Sequence, residues 1–308
     1  MFLKKIKHSV MCLAIAMCPT QILANDIKHE LGVTTLSGTP EKIVVLEFSF
    51  LDALASAGIA PVGIADDNKR HAVIEEYTRV IGDDWVSVGT RKTPSLEIIS
   101  SLAPDLIIAD KTRHSSAYNA MSQIAPVIVL DSLGGDYHSA IEQMAVIGQA
   151  LGKEADIAAR VAAHKQRMAK FATQIRKISV GKSAQFGITN ANGLWAHSPI
   201  SYIGSVLAMF GFDSGMALTE GGVYESKYVK TSLEQLSVVN PDILILGKYT
   251  DPAFTDGWTE DTIYKDITAV KNGDIYEVDA HIWGRLRGML AAERTAADII
   301  EIMKKVGD

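Results

Sequence analysis

The stretch PSLEIISSLAPDLIIA, residues 94–109, occurs a second time as TSLEQLSVVNPDILIL, residues 231–246. The two copies lie 137 residues apart and share Ser, Leu, Glu, Ser, Pro and Asp in register. Each copy has the pattern of a helix, a Pro-Asp turn and a buried strand. A period this long indicates two related domains rather than a solenoid, whose repeats are about 20 to 50 residues long.

The sequence before the first copy alternates between strand and helix patterns. An apolar β-branched run at 43–46 precedes a helix-like stretch at 52–57, and a second short apolar run follows at 61–64. Such alternation favours an α/β fold with mainly parallel sheet. We therefore predict two Rossmann-like lobes, residues 25–150 and 179–308.

A long helix is predicted between the two copies. Residues 153–178 contain neither Pro nor Gly. Their apolar positions, at 157, 161, 168, 171 and 175, fall on one helical face. We expect one helix, residues 151–178, to join the lobes and to restrain large movements between them.

The first residues have the pattern of a signal peptide, residues 1–24. Three lysines precede the apolar run from Val10 to Met17, and Ala24 offers a small residue for cleavage. The run is far shorter than the roughly 20 residues of a membrane span. Lipoprotein processing at Cys18 is the weaker alternative, because Met17 is bulky. Cys12 and Cys18 both lie in this segment, so we expect a soluble periplasmic protein without disulfides.

Composition limits the class of protein further. With 47% hydrophobic and 21% charged residues, the 308-residue chain has enough apolar material for packed cores and is unlike disordered chains. Its formal charge of −6 becomes −9 when the three lysines of the leader are removed. This sign is wrong for binding nucleic acid through phosphate neutralisation, so no nucleic-acid partner is expected.

Four arginines follow predicted strands in the two lobes: Arg91, Arg113, Arg285 and Arg287. Ligands of open α/β sheets bind at the carboxyl ends of the strands. The guanidinium group is always charged and presents a planar fork that matches carboxylates. The sequence therefore predicts a site for an anion, although any one of these arginines could instead be an ordinary surface residue.

Catalytic and metal-binding motifs are incomplete or absent in the sequence. Gly181-Lys-Ser resembles the end of a P-loop, but Arg176 stands where the leading glycine would be. The glycines at 211 and 215 are out of register for a nucleophile elbow. The sequence also lacks HExxH and CxxC motifs. We predict a binding protein rather than an enzyme.

Several segments resemble one known family: 38–67, 88–97 (VGTRKTPSLE), 104–114 (PDLIIADKTRH), 123–130 and 283–298 (WGRLRGMLAAERTAAD). They resemble the periplasmic substrate-binding proteins of siderophore and cobalamin ABC importers, over essentially the whole mature chain. The resemblance implies a class III binding-protein fold and a monomer without intrinsic cofactor. It also implies that an ABC permease dimer with its ATPase receives the ligand. The implied ligand is a ferric citrate chelate, in which the chelator and not the protein holds the iron.

The resemblance also assigns residues. It implies ligand binding by Thr90, Arg91, Arg113, Trp195, Arg285 and Arg287. It implies that Glu97 and Glu234, which are equivalent in the repeat, pair with arginines of the permease. A purely structural role for these glutamates is the alternative. The helix dipole favours acidic residues in the first turn of a helix, and Thr231–Glu234 has the spacing of a capping box.

Other roles and ligands stay open. Asn190 and Asn192 stand where relatives often carry a basic residue. Further candidates for contact with the ligand are His114, His197, His281, Tyr224, Tyr228 and Trp283. The alternative ligands are another hydroxycarboxylate siderophore, a catecholate siderophore, haem and cobalamin.

Overall fold

The computed structural model describes residues 24–217 and 220–306. The predicted signal peptide up to residue 23, with Cys12 and Cys18, lies outside these residues. Among the described residues, no helix combines the length and the apolar character that a membrane span requires.

The strands are β1 Asn25–His29, β2 Gly32–Leu36, β3 Ile43–Val45, β4 Gly63–Ile64, β5 Val86–Ser87, β6 Leu106–Asp110, β7 Val127–Leu130, β8 Ala184–Asn190, β9 Gly193–His197, β10 Tyr228–Thr231, β11 Ile243–Lys248 and β12 Ile275–Val278.

The α-helices are α1 Phe48–Ser56, α2 Glu75–Ile81, α3 Leu96–Ser101, α4 Lys111–His114, α5 Tyr118–Ser122, α6 Tyr137–Ala150, α7 Glu154–Ser179, α8 Tyr202–Met209, α9 Val223–Lys227, α10 Leu233–Val239, α11 Thr262–Asp266, α12 Thr268–Asn272, α13 Ala280–Arg285 and α14 Met289–Met303. Short 3-10 helices occupy Arg70–Ala72, Ser115–Ala117 and Phe254–Trp258.

The N-terminal lobe is built on a parallel sheet with strand order β5-β4-β3-β6-β7. Its central strands β3 and β6 are buried at every position. Continuous apolar runs of this kind form strands that are covered on both faces, as βαβ connections require. The carboxyl ends of these strands lie at one edge of the sheet.

The C-terminal lobe is built on a mixed sheet with strand order β10-β9-β8-β11-β12. β8, β11 and β12 are parallel, whereas β9 pairs antiparallel with both β8 and β10. A tight turn joins β8 to β9 and reverses the direction of the chain. The side chain of Asn190 stabilises this turn by accepting a 2.7 Å hydrogen bond from the amide of Asn192. The predicted α/β fold with mainly parallel sheets and a long helix is confirmed, and this antiparallel edge is an addition to it.

The sequence repeat is also a structural repeat. α3 and β6 of the first copy correspond to α10 and β11 of the second, and β6 and β11 each pair in parallel with two neighbours. In each copy the Asp of the Pro-Asp turn holds the start of an adjacent strand. Asp105 accepts a hydrogen bond from the amide of Lys42 at 2.8 Å, and Asp242 accepts one from that of Ser183 at 2.7 Å.

The predicted capping box at Thr231–Glu234 is wrong by one residue. Ser232 is the N-cap of α10, and its side chain and that of Gln235 form the reciprocal bonds. Thr231 instead ends β10, where it pairs with β9. The acidic side chain of Glu234 is therefore not needed for the cap.

The long helix α7 lies between the two sheets in the sequence. Ile157, Met168 and Ile175 of its predicted apolar face are buried, and α7 packs against α6 and α14. The linker helix was predicted at residues 151–178, and the observed helix spans Glu154–Ser179. The exact domain boundaries stay a prediction.

Candidate functional site

A cleft of about 340 Å³ lies between the lobes, at the carboxyl ends of parallel strands. The N-terminal lobe contributes Arg91, Arg113 and Leu133 to its lining. The remaining lining residues are Ile188, Asn190, Trp195, His197, Tyr224, Tyr228, Tyr249, Gly284, Arg285 and Arg287. The structure thus brings together all four arginines that the strand-end argument selected.

Glu47 joins the two arginines of the N-terminal lobe. It is fully buried as the N-cap residue of α1, two residues after the end of β3. Its carboxylate lies 3.2 Å from Nη1 of Arg91 and 2.5 Å from Nε of Arg113. The contact with Arg113 is an ion pair without hydrogen-bond geometry. The guanidinium of Arg91 also lies 4.5 Å from the ring centre of Phe48. These contacts fix both cations at the cleft surface.

Asp67 is the second carboxylate in contact with the arginines. It accepts hydrogen bonds from Nε and Nη2 of Arg91 at 3.1 and 2.9 Å and lies 3.6 Å from Nη1 of Arg285. Burial acts to raise the pKa of Asp67, but the bonds from Arg91 outweigh burial and hold that pKa below its usual value. Asp67 is therefore ionised at neutral pH and links the lobes.

The C-terminal side supplies Arg285 at the end of α13 and Arg287 just beyond it. The guanidinium of Arg285 stacks on Tyr249, 4.5 Å from the ring centre. Arg287 is buried and donates a 3.1 Å hydrogen bond to the hydroxyl of Tyr228, which itself donates to the carbonyl of Leu133 at 3.2 Å.

Arg287 has no ion-pair partner among the described residues. Burial acts to lower the pKa of Arg287, but Tyr228 and the more distant Glu47 outweigh burial and raise that pKa. The side chain is therefore a buried cation whose charge is not neutralised by direct contact. Such a group is costly to bury alone, and an anion bound in the cleft would offset that cost.

Aromatic side chains form one wall of the cleft. Trp195 lies on β9, and the rings of Tyr224 and Tyr228 are 5.0 Å apart. Asn190 also lines the cleft, at the end of β8, but Asn192 does not. The antiparallel β9 is thus the element that places Trp195 beside the arginines.

Of the candidate histidines, His197 lines the cleft and the others support backbone near it. Burial and the nearby Arg287 lower the pKa of His197 to about 3, so its imidazole is neutral. His114 accepts a 2.9 Å hydrogen bond from the amide of Asp110 and contacts the carbonyl of Arg91 at 2.7 Å. His281 contacts the carbonyl of Ala72 at 2.7 Å.

Two other candidates lie away from the cleft surface. Thr90 is not among the lining residues, and its hydroxyl accepts a 3.0 Å hydrogen bond from the amide of Thr93 in a local turn. Trp283 is buried in the core and donates a 2.8 Å hydrogen bond to Asp298.

Glu97 and Glu234 are exposed in the first turns of α3 and α10, outside the cleft lining. Ser95 and Ser232 cap these helices, so neither glutamate serves as the N-cap. Their equivalent positions in the repeat give the two lobes one exposed acid each.

Glu47, Asp67 and Tyr249 were not predicted from the sequence. Glu47 follows β3 and Asp67 follows β4, so these acids could have been predicted from their positions after strands, as the arginines were. Within residues 24–217 and 220–306, His, Cys, Asp and Glu side chains form no group of three suited to a metal ion. The cleft itself carries four cations against two contacting carboxylates, a charge excess that suits an anionic ligand.

Comparison with known proteins gives consistent results. Residues 43–282 match the model of a family described as "Periplasmic binding protein". The chain is 40% identical over 279 residues to the Fe(3+) dicitrate-binding periplasmic protein FecB of Escherichia coli (strain K12), covering 91% of this chain and 90% of FecB. It is 39% identical to the Fe(3+)-citrate-binding protein YfmC of Bacillus subtilis (strain 168), covering 89% and 84%.

Solved structures share the fold. Staphylococcus aureus SirA complexed with staphyloferrin B aligns with a TM-score of 0.76 and 24% identity, over 91% of this chain and 98% of SirA. The petrobactin-binding protein YclQ of Bacillus subtilis aligns with a TM-score of 0.76 and 24% identity, over 92% and 99%. The matched family and the relatives FecB and YfmC are all named for binding and not for a reaction, in agreement with the prediction of a binding protein.

Proposed function

Because this chain belongs to the periplasmic binding protein family, we propose that it captures a ferric citrate chelate between its lobes for iron uptake through an ABC importer. The observation that carries this proposal is the meeting of Arg91, Arg113, Arg285 and Arg287 at one cleft. FecB and YfmC, the relatives named for binding ferric citrate, support the identity of the ligand.

The chemistry of the cleft suits such a chelate. Citrate carboxylate and hydroxyl oxygens satisfy Fe(III), a hard cation, and the outer carboxylates remain negatively charged. Guanidinium groups bind carboxylates through paired, charge-assisted hydrogen bonds. Arg287 is the strongest candidate for such a contact, because it is charged, buried and without a carboxylate partner among the described residues.

Delivery requires a partner, and we assign that contact to Glu97 and Glu234. They are exposed, they occupy equivalent positions in the repeat, and they lie outside the cleft lining. Two equivalent acids are suited to the two halves of a permease dimer driven by its ATPase. A monomer that is released into the periplasm after loss of residues 1–24 fits this role.

A siderophore with aromatic groups is the second candidate ligand. Trp195, Tyr224 and Tyr228 supply faces on which catecholate rings could stack. The four arginines favour the carboxylate chelate, since they supply paired donors rather than apolar surface.

Fluorescence titration distinguishes these ligands, because Trp195 lies in the cleft and reports on its occupation. The protein is titrated with ferric citrate, iron-free citrate and a ferric catecholate. We expect saturable quenching by ferric citrate at low concentration and weaker quenching by the catecholate. Quenching by the catecholate alone would identify a catecholate siderophore as the ligand and would leave the proposed transport role unchanged.

A further inference from the structure

The two carboxylates that contact the cleft arginines differ in their surroundings. Glu47 is completely buried, and its partners Arg91 and Arg113 belong to the same lobe. The side chain of Asp67 is 19% exposed, and it contacts Arg91 of its own lobe and Arg285 across the cleft. Asp67 is not itself a lining residue of the cleft, but it is the more exposed of the two carboxylates and contacts two arginines that line the cleft.

The loop after β4 presents Asp67 to the arginines. The neighbouring Asp66 is fully buried and holds the loop through Trp85, whose Nε1 donates to it at 3.3 Å, and through Ser87. Asp67 itself has a φ of 59°, in the left-handed region that Asp and Asn tolerate better than most residues. Its carboxylate accepts hydrogen bonds from both the backbone amide and the guanidinium of Arg91, so it joins this loop to the loop after β5.

Asp67 occupies donors that a ligand would use. Arg91 directs Nε, Nη2 and its backbone amide to Asp67 and Nη1 to Glu47, which accounts for most of its donors. Arg285 reaches Asp67 only at 3.6 Å, beyond ordinary hydrogen-bond length. A ligand carboxylate at hydrogen-bond distance from Arg285 would make a stronger contact than the one it replaces.

We propose that Asp67 is an internal counter-ion that competes with the carboxylates of the ligand for Arg285 and Arg91. This inference rests on the proposed function, because it takes the bound anion to be ferric citrate. It gives Asp67 a role in specificity: only a ligand with several negative charges gains enough from Arg113, Arg285 and Arg287 to displace Asp67. The native protein thus binds its ligand more weakly than its arginines alone would allow.

The test is a fluorescence titration of the wild-type protein and of Asp67→Asn with ferric citrate. Asparagine keeps the left-handed backbone and an oxygen for the amide of Arg91 but removes the charge. We expect Asp67→Asn to bind about three- to tenfold more tightly at low salt, with the difference shrinking as ionic strength rises. The control Asp84→Asn removes the same charge from an exposed position outside the cleft lining. It should change the affinity by less than about twofold.

The outcomes separate this inference from the function on which it rests. If the wild-type protein binds ferric citrate and Asp67→Asn binds it equally or more weakly, Asp67 merely positions Arg91 and the counter-ion role is overturned. Equal tightening by Asp84→Asn would reduce the effect to net charge and would also overturn it. If the wild-type protein does not bind ferric citrate, the proposed ligand and the inference both fail.

Discussion

Arg287 has the least compensated charge of the cleft arginines. Arg91 and Arg113 contact Glu47, and Arg285 contacts Asp67, whereas the buried Arg287 relies on the hydroxyl of Tyr228. A ligand carboxylate bound there would complete the pairing of a cation that is already desolvated. Its contribution to affinity should therefore exceed that of an exposed arginine.

Replacement of Arg287 by lysine tests this difference. Lysine keeps the charge but loses the planar fork, so we expect Arg287→Lys to weaken ferric citrate binding about 10- to 100-fold. Arg79→Lys is the matched control, because Arg79 is exposed on α2 and pairs with Glu75. Circular dichroism checks that both variants fold. Unchanged affinity in folded Arg287→Lys would remove Arg287 from direct contact with the ligand.

The arginines could be predicted from sequence, but their carboxylate partners could not be paired with them. The arginines stand out because each follows a strand, and guanidinium chemistry is specific. The pair between Asp67 and Arg285 joins residues that are 218 positions apart, and only the packing of the lobes brings them together. Thr90, which the resemblance assigned to the site together with Arg91, lies outside the cleft lining, so its contact with the ligand stays a prediction.

At the scale of elements, Glu293 joins the linker helix α7 to α14. Its carboxylate lies 2.7 to 2.9 Å from nitrogens of Arg160, His164 and Arg167. Burial acts to raise the pKa of Glu293, but these three hydrogen bonds outweigh burial and lower that pKa from 4.5 to about 2. Arg160 and Arg167 of α7 therefore hold a second helix.

The stabilisation from Glu293 should depend on pH in a definite direction. A carboxyl group whose pKa is lower in the folded protein stabilises it above the unfolded pKa, and the effect disappears as pH falls from 4.5 to about 2. We expect Glu293→Gln to lower the free energy of unfolding by up to about 3 kcal/mol at pH 7. Urea unfolding at several pH values measures this loss.

The control for that experiment is Glu301→Gln. Glu301 is exposed on the same helix and pairs with Lys304 across one turn, so it should contribute less than about 1 kcal/mol. A loss in Glu293→Gln that stayed constant down to pH 3 would contradict an origin in the ionised carboxylate.

The helices and strands of the two repeat copies could be predicted because local sequence signals specify them. Equivalent Pro-Asp turns follow a left-handed residue in each copy, Ala103 with φ 45° and Asn240 with φ 44°. The antiparallel strand β9 escaped prediction, because its direction depends on the turn at Asn190 and on pairing with β10, which begins at Tyr228. Such non-local pairing is poorly encoded in a single stretch of sequence.

At the scale of the whole molecule, the segment 281–294 ties the lobes together. His281 contacts the carbonyl of Ala72, the amide of Met289 donates to Asp52, and Arg294 pairs with Glu76. Together with α7, these contacts join the lobes at several points beyond the cleft. They support the expectation that the lobes move little relative to each other when ligand binds.

A rigid pair of lobes would present Glu97 and Glu234 to the permease at a fixed separation. We expect the double reversal Glu97→Arg and Glu234→Arg to reduce uptake of radioactive iron supplied as ferric citrate at least about tenfold, through repulsion of the permease arginines. Affinity for ferric citrate should stay unchanged, because neither residue lines the cleft.

The matched control reverses two other exposed acids, Glu154→Arg and Glu301→Arg, and should transport normally. Both double variants are compared with the wild-type protein in cells that lack it. Normal uptake by the Glu97 and Glu234 double reversal would show that delivery does not use these residues.

We propose that the cleft arginines hold an iron chelate through its carboxylates. Anomalous diffraction at the iron edge, from crystals grown with ferric citrate, tests it most directly. We predict one iron peak inside the cleft, with citrate carboxylates on Arg113, Arg285 and Arg287 and no protein atom bound to the metal. Iron coordinated directly by protein side chains, or a chelate bound outside the cleft, would contradict the account.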